Sequence, residues 1–182
     1  MGHIVNAEGL KPDPKKIEQV ENFPPPTNIA ELRQFLGLCG YYRRFQENFA
    51  KKAAPLHKLL RKETKFFWKT EQQCAFELLK LALISAPVLK YPDFRKPFFV
   101  STDASGYAIG AVLEQENSDG YLHPIAYASR TLNGAELNYS VTEKEALAVV
   151  WALKHRRHYI YGLPCTVVTD HQALRSALTI PT

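Results

Sequence analysis

The first half of the chain places its apolar residues at the spacing of α-helices. The clearest example follows three consecutive prolines, where apolar residues stand at i, i+3, i+4 and i+7, namely Leu32, Phe35, Leu36 and Cys39. Asn28 and Glu31 lie directly before this stretch with the spacing of a capping box, in which each side chain accepts a hydrogen bond from the other residue's backbone. The pattern predicts an amphipathic helix that begins just after a stiff proline spacer.

Two further helices are predicted downstream. One begins near Pro55, and its apolar face comprises Leu56, Leu59 and Leu60. The other begins at a capping box formed by residues 70–73 and is stopped by Pro87. Its apolar face comprises Phe76, Leu79 and Leu83. Three short helices of this kind make a small bundle.

From Pro97 onward the sequence becomes typical of β-strands. The predicted strands are Phe98–Asp103, Tyr107–Gln115, Leu122 to about Thr131, and Cys165–Thr169, with a turn at Asn117–Gly120. The helix between the last two strands is predicted to bury Ala146, Val149, Val150 and Leu153. A final helix is expected after Asp170. The fold class is therefore α/β (α+β overall), a helical bundle followed by a mixed sheet with helical cover, and the boundary is expected near residues 90–96.

Length and composition limit the class of protein. The chain has 182 residues, of which 46% are hydrophobic, enough for one domain or for a small domain beside part of another. The sequence contains neither a run of about 18 apolar residues nor a signal peptide at its start. We therefore expect an intracellular protein, cytoplasmic or nuclear, that is not secreted and has no membrane partner. Three isolated cysteines, Cys39, Cys74 and Cys165, lack disulfide or zinc spacing and are expected to be ordinary buried thiols.

Charge is distributed unevenly along the chain. Residues 1–96 contain 17 Lys and Arg against 10 Asp and Glu, whereas residues 97–182 contain 6 against 8. Residues 43–69 alone hold nine basic and two acidic residues, interleaved with aromatic residues. Such a composition suits contacts with phosphates, although a solvated basic face on a helical module is an equally ordinary interpretation.

Three acidic residues stand on rigid elements rather than in loops. Asp103 and Asp170 each close a predicted strand, and Glu145 lies in the first turns of the predicted helix. Each has a structural alternative: Asp103 could shape a turn, and Asp170 could cap the next helix. Glu145 could close a capping box with Thr142, or could face the sheet if Ser140 and Glu143 form the box instead. We favour the second arrangement.

Several stretches of sequence together resemble a known family. TDASGYAIGAVLEQ, HPIAYASRTLN, NYSVTEKEALAVVWALKHRRHYIYG and VVTDHQAL are similar to the ribonuclease H domain of reverse transcriptases from gypsy-class long-terminal-repeat retrotransposons. Upstream, GLKPDPKKIEQVENFPPP, ELRQFLGLCGYYRRF, APLHKLL and SAPVLKYPDF resemble the thumb and connection of the same polyproteins. The resemblance covers essentially the whole chain.

This resemblance implies a division of the chain and a set of contacts. Residues 1–27 would be a remnant of the palm hairpin, without its partner strands, and a proline-rich spacer; residues 28–92 the helical thumb and connection; and residues 93–182 a ribonuclease H-like domain truncated at its C-terminus. The polymerase aspartates are absent. The residues expected to contact nucleic acid are Gly2, His3, Arg43, Arg44, Lys51 and Lys52. The implied partners are an RNA/DNA hybrid or primer–template and the remainder of the polyprotein.

The resemblance also implies a chemistry. Asp103, Glu145 and Asp170 would hold two Mg²⁺ or Mn²⁺ ions and cleave the RNA strand of a hybrid. A fourth acid of the family lies about fifty residues past the third, whereas 12 residues follow Asp170 here, so we expect this chain alone to be weakly active or inactive and to expose a sheet edge. The alternative function is a domesticated or degenerate module that binds nucleic acid without catalysis. A transposase or integrase is disfavoured because its acids run Asp, Asp, Glu.

Overall fold

A computed structural model describes residues 2–172 and 174. Its elements in chain order are β1 (His3–Asn6), β2 (Gly9–Pro12), α1 (Pro14–Glu21), α2 (Ile29–Tyr41), α3 (Phe49–Lys58), α4 (Thr70–Ile84), β3 (Phe98–Ala104), β4 (Ala108–Glu116), β5 (Leu122–Thr131), α5 (Val141–Ile160) and β6 (Cys165–Val168). Short 3-10 turns lie at Arg43–Phe45 and Glu136–Asn138. The predicted fold class is confirmed, with helices first and a mixed sheet with helical cover after them. The helix expected after Asp170 lies largely outside the described residues.

Four strands form one sheet in the order β5-β4-β3-β6. β3 pairs antiparallel with β4 and parallel with β6, and β4 pairs antiparallel with β5. Because β3 and β6 are parallel, their carboxyl ends meet at the same edge of the sheet. Helix α5 covers one face, where Ala152 packs with Phe98, Val100 and Leu113.

The helical half encloses its own hydrophobic core. The predicted apolar faces of α2 and α4 are buried, as expected, and their rings meet where Phe35 and Phe76 lie 4.5 Å apart between centroids. Half of the predicted capping box of α2 is present, since the Asn28 side chain accepts a hydrogen bond from the backbone N–H of Glu31. The Glu31 carboxylate accepts instead from the backbone N–H of Thr27, one residue before the cap. Cys39 is buried in this core, whereas Cys74 is exposed, contrary to expectation.

Two helix starts differ from the predictions. Helix α3 begins at Phe49 rather than near Pro55, because Phe49, Ala50 and Ala53 bury a face in the first turns and the proline is tolerated inside. Proline is favoured at the first position of a helix, so it marked the wrong boundary. Helix α4 begins one residue earlier than predicted, since the Gln72 side chain accepts a hydrogen bond from the backbone of Lys69.

Residues 3–21 form a hairpin and a helix. β1 pairs antiparallel with β2 in a two-stranded sheet, so a hairpin stands where the family resemblance implied one, and its assignment to the palm stays a prediction. α1 follows, with Asp13 as its N-cap accepting a hydrogen bond from Lys15 and with Pro14 in its first turn. This Asp-Pro pair is an ordinary helix start signal that was assigned to the spacer.

The buried face of α5 also differs from the prediction. Val150, which was expected inside, is 49% exposed. The buried residues are Glu145, Ala148, Val149, Ala152 and Arg156. Two of these are charged, so a search for apolar periodicity alone selected a neighbouring stripe.

The helical half packs on the sheet face opposite α5. Helix α3 and the turn Arg43–Phe45 lie against β5, and the backbone N–H of Ala50 donates a hydrogen bond of 2.8 Å to Ser129 Oγ. Tyr127 of β5 packs against the helical core. Within the described part of the chain, no helix has the length and apolar character needed to cross a bilayer. The boundary near residues 90–96 stays a prediction.

Candidate functional site

Asp103 lies near the end of β3 and points towards the helical half. Its Oδ2 accepts a hydrogen bond of 3.1 Å from the side-chain amide of Asn48. Asn48 precedes α3 and has the left-handed backbone conformation, with φ of 51°, which asparagine tolerates better than most residues. A residue from the helical half therefore holds the carboxylate of the sheet.

Gly110 makes this contact possible. It is the β4 partner of Asp103, and a Cβ at this position would collide with Oδ1 of Asn48. A glycine inside a strand often marks the close approach of another group. Asn48 was not among the residues predicted from the sequence. The glycine opposite Asp103 is the feature of the sequence that could have indicated a side chain packed close to this strand.

Glu145 occupies the second turn of α5 and faces inward. Ser140 is the N-cap, and Glu143 accepts a hydrogen bond of 2.7 Å from its backbone, so the box that leaves Glu145 free is the one observed. Glu145 is 6% exposed, and its Oε2 has no hydrogen-bond partner among the described residues. An unpaired buried carboxylate oxygen is costly and calls for a cation or a proton.

The electrostatics of Glu145 involve both aspartates. Burial raises the pKa of Glu145, and the charges of Asp170 and Asp103 raise it further, while the backbone N–H of Ala104 and the charge of His171 oppose the shift. The three carboxylates are thus close enough to interact. Within residues 2–172 and 174, however, no three His, Cys, Asp or Glu side chains form a group that could hold a metal ion.

Asp170 lies two residues after the end of β6 and is exposed. Beside it, His171 makes two contacts: its backbone N–H donates to Thr169 Oγ1, and its Nε2 lies 3.2 Å from the hydroxyl of Thr142 on α5. The other ring nitrogen of His171 is buried without a partner among the described residues. His171 therefore ties the end of β6 to the start of α5, a role that its sequence did not indicate.

The first two residues predicted to contact nucleic acid lie against aromatic side chains. The Gly2 carbonyl accepts a hydrogen bond of 2.8 Å from the hydroxyl of Tyr42. The ring of His3 lies 5.1 Å from that of Tyr41 and 5.4 Å from that of Phe45, between centroids. Burial, and then the charge of Arg44, lower the pKa of His3.

The four basic residues occupy the junction of the two halves. Arg43 is exposed and Arg44 half-buried in the 3-10 turn beside β5, and Arg44 Nε has no partner among the described residues. On α3, Lys51 is exposed and Lys52 is half-buried. Burial lowers the pKa of Lys52, and the negative charge of Glu47 opposes this shift. The structure brings the arginines to the sheet and leaves Lys51 facing solvent.

The chain matches a known family over most of the sheet and part of the helices. The profile of the RNase H-like domain found in reverse transcriptase matches residues 68–167. The chain belongs to this family. The resemblance found in the sequence is thereby confirmed, although the roles of individual residues stay predictions.

Transposon polyproteins are among the proteins similar to this chain. The chain is 49% identical over 176 residues to the retrovirus-related Pol polyprotein from transposon 297 of Drosophila melanogaster, covering 96% of this chain and 16% of that protein. It is 39% identical over 181 residues to the transposon Tf2-3 polyprotein of Schizosaccharomyces pombe, covering 98% and 14%. This RNase H-like chain thus spans less than a fifth of these relatives.

Solved structures show the same fold. A foamy viral protease-reverse transcriptase dRH in complex with double-stranded DNA superimposes with a TM-score of 0.79 and 25% identity, over 100% of this chain and 32% of that one. The foamy viral protease-reverse transcriptase in complex with an RNA/DNA hybrid gives 0.76 and 26%, over 98% and 25%. The helical half and the RNase H-like half are therefore matched together.

Proposed function

We propose that this chain carries the acidic centre of a retrotransposon ribonuclease H, which hydrolyses the RNA strand of RNA/DNA hybrids. Asp103, Glu145 and Asp170 are the residues of this centre. The observation that supports it best is the pairing of β3 with β6 in parallel, because it brings both aspartates to one edge, where α5 delivers Glu145. Membership of the reverse-transcriptase family agrees with this chemistry.

The donor atoms suit two Mg²⁺ or Mn²⁺ ions. All three side chains offer carboxylate oxygens, the hard ligands that these ions prefer, and Glu145 Oε2 is buried and unpaired within the described residues. When bound, such ions act as Lewis acids on the phosphodiester. Asn48 keeps the Asp103 carboxylate in one orientation, and burial together with the charges of Asp170 and Asp103 raises the pKa of Glu145.

The basic junction would hold the substrate. Arg43 and Arg44 line clefts beside β5, and Lys51 projects from α3 on the same half. Basic side chains neutralise backbone phosphates and supply most of the affinity for nucleic acid. An RNA/DNA hybrid or primer–template and the remaining polyprotein are accordingly the partners we propose, inside the cell.

A second function is favoured by one observation. Among the described residues the acids do not form a three-ligand metal group, and Asp103 is hydrogen-bonded to Asn48 instead. A module that binds nucleic acid without cleaving it would have this arrangement.

One experiment separates the two functions. Cleavage of a labelled RNA/DNA hybrid in Mg²⁺ and binding of the same hybrid in EDTA are measured for the wild type and for Asp103→Asn. Both proteins are extended past Thr182 along the polyprotein, because this chain alone is expected to be weakly active or inactive. The catalytic function predicts that the substitution lowers cleavage at least about a hundredfold and leaves binding within about twofold. Hybrid binding without cleavage by the wild type supports the binding module, and equal loss of both in the variant contradicts a role in metal binding.

A further inference from the structure

A cleft of about 430 Å³ lies beside β5, an edge strand of the described sheet, between α5 and the turn Arg43–Phe45. Its walls carry four arginines and one histidine: Arg43, Arg44, Arg130, His155 and Arg156. No carboxylate lines it in the part of the chain that the structure describes. Since like charges in a confined space repel one another, this lining favours a bound anion.

Arg156 is the strongest evidence for such an anion. It is 7% exposed, and its guanidinium donates one hydrogen bond, of 3.3 Å, to the carbonyl of Ala126. Its Nε is buried and has no partner among the described residues. Arginine presents five donors, so most of the hydrogen-bonding capacity of this buried cation is unused. Burying a guanidinium away from water without a counter-charge costs free energy, and an anion in the cleft would offset that cost.

Arg44 faces the cleft from the opposite wall. Its Nε is likewise buried without a partner in the described residues. Arg130 is different, because both of its terminal nitrogens already bind the carboxylate of Glu136, at 2.6 and 2.9 Å. The two cleft arginines whose Nε is buried and unpaired among the described residues therefore come from different halves of the protein, Arg44 from the helical half and Arg156 from α5.

We propose that this cleft binds a phosphate group between Arg44 and Arg156. A tetrahedral anion offers oxygens on several sides and can be bound from two walls at once, whereas a carboxylate has two oxygens in one plane. The source of the phosphate follows from the proposed function, on which this point rests: a backbone phosphate of the nucleic acid. A free phosphate is the other source with the same chemistry.

The position of the cleft agrees with a backbone phosphate. Along α5, Arg156 lies about 16 Å from Glu145 at 1.5 Å per residue. A duplex bound at the acids is long enough to reach the cleft, since about five base pairs at 3.4 Å span this distance along its axis. A second cleft, of about 490 Å³, shares Arg43 and Arg130 with the first and extends to Tyr107, in the turn after β3. The two clefts together lead from Arg156 towards the edge where the acids stand.

Trp151 provides a direct readout. It lines the cleft and stacks on His155, with 5.2 Å between centroids and 15° between planes. The chain contains two tryptophans, so Trp68→Phe leaves Trp151 as the only source of tryptophan fluorescence. Far-UV circular dichroism verifies the fold of this variant. Inorganic phosphate and an RNA/DNA hybrid of about 16 base pairs are then titrated separately in EDTA, where binding is measured without cleavage.

Matched arginine variants test the assignment. Arg44→Gln and Arg156→Gln are expected to weaken hybrid binding at least about tenfold, as for loss of a charge-assisted hydrogen bond, and to lower the salt slope by about one. Arg157→Gln is the control: it removes the same charge from an exposed neighbour whose guanidinium lies 4.9 Å from the Tyr161 ring. Its effect should stay within about threefold. Should Arg156→Gln fail to fold, the half-buried Arg44→Gln carries the test alone.

The outcomes distinguish the sources of phosphate. If Trp151 fluorescence changes when the hybrid is added, and Arg44→Gln and Arg156→Gln weaken this binding, the site binds a backbone phosphate. If the fluorescence changes with inorganic phosphate alone, the same site binds a free phosphate. Trp151 emission that responds to neither probe, or an equal loss in Arg157→Gln, overturns the proposal. Failure of the proposed nuclease would show instead in the cleavage assay, where Asp103→Asn would leave the rate unchanged.

Discussion

The side chain of Asn48 can approach β4 closely because Gly110 has no side chain. A methyl group on Gly110 would occupy the position of Asn48 Oδ1. Gly110 signals a close neighbour, but nothing in the sequence identifies Asn48 as that neighbour, because the contact joins a left-handed residue before α3 to the third residue of β4. Long-range contacts of this kind do not appear in periodicity.

Gly110→Ala should therefore destabilise the protein by about 1–3 kcal/mol, the usual cost of overpacking. The free energy of unfolding in urea measures it. Gly37→Ala is the matched control: Gly37 lies in α2 with no atom within 4 Å of a new Cβ, so the better helix former should raise stability by about 0.5–1 kcal/mol. Destabilisation of the same size at both positions would contradict the close approach of Asn48.

The ion pair between Arg130 and Glu136 gives a pH-dependent stability. Hydrogen bonds from the Arg130 guanidinium, and then from the backbone of Asn133, lower the pKa of Glu136. The stabilisation is therefore present above the ordinary pKa of a glutamate, near 4.3, and is lost as the pH falls through the lowered value. Glu136→Gln should lower the urea midpoint at pH 7, and the difference from the wild type should shrink as the pH falls below the ordinary pKa of a glutamate. A difference that is constant with pH would contradict the ion pair.

Among the helices, α2 and α4 were predicted well because their apolar stripes are long and regular, and stripe residues such as Phe35 and Leu79 are fully buried. The start of α3 was predicted wrongly, because Pro55 lies inside the helix and the sequence does not distinguish it from a proline at the first position. The face of α5 was misplaced because Glu145 and Arg156 are buried charges, which periodicity counts as exposed. Both residues belong to the proposed sites.

The cap of α5 determines where Glu145 points. Ser140→Ala removes the hydroxyl that accepts the backbone N–H of Glu143 and should cost about 1 kcal/mol of stability. Thr142→Ala tests the alternative register and should cost less, because Thr142 makes no cap hydrogen bond and its contact with the His171 ring is exposed. Urea unfolding of both variants measures the difference. A larger loss at Thr142 would contradict the observed register.

For the whole molecule, the order of elements and the mixed sheet followed from the sequence, with the family resemblance naming the fold. The packing of the helical half on the sheet did not follow, because its contacts join residues far apart in the sequence: Ala50 donates to Ser129, and Tyr127 packs against the helical core. The cleft between Arg44 and Arg156 exists through this packing. The acids and the basic cleft consequently depend on one arrangement of the two halves.

Mn²⁺ binding tests the acidic centre directly and is followed by the electron paramagnetic resonance signal of the free ion. We expect the wild type to bind Mn²⁺ and Asp103→Asn, Glu145→Gln and Asp170→Asn each to weaken binding at least about tenfold, the smallest effect expected even for residues around a metal ligand. Glu143→Gln, an exposed neighbour engaged in the cap, should bind like the wild type. Equal binding by all four variants, or an equal loss in Glu143→Gln, would contradict an acidic centre shared by the three residues.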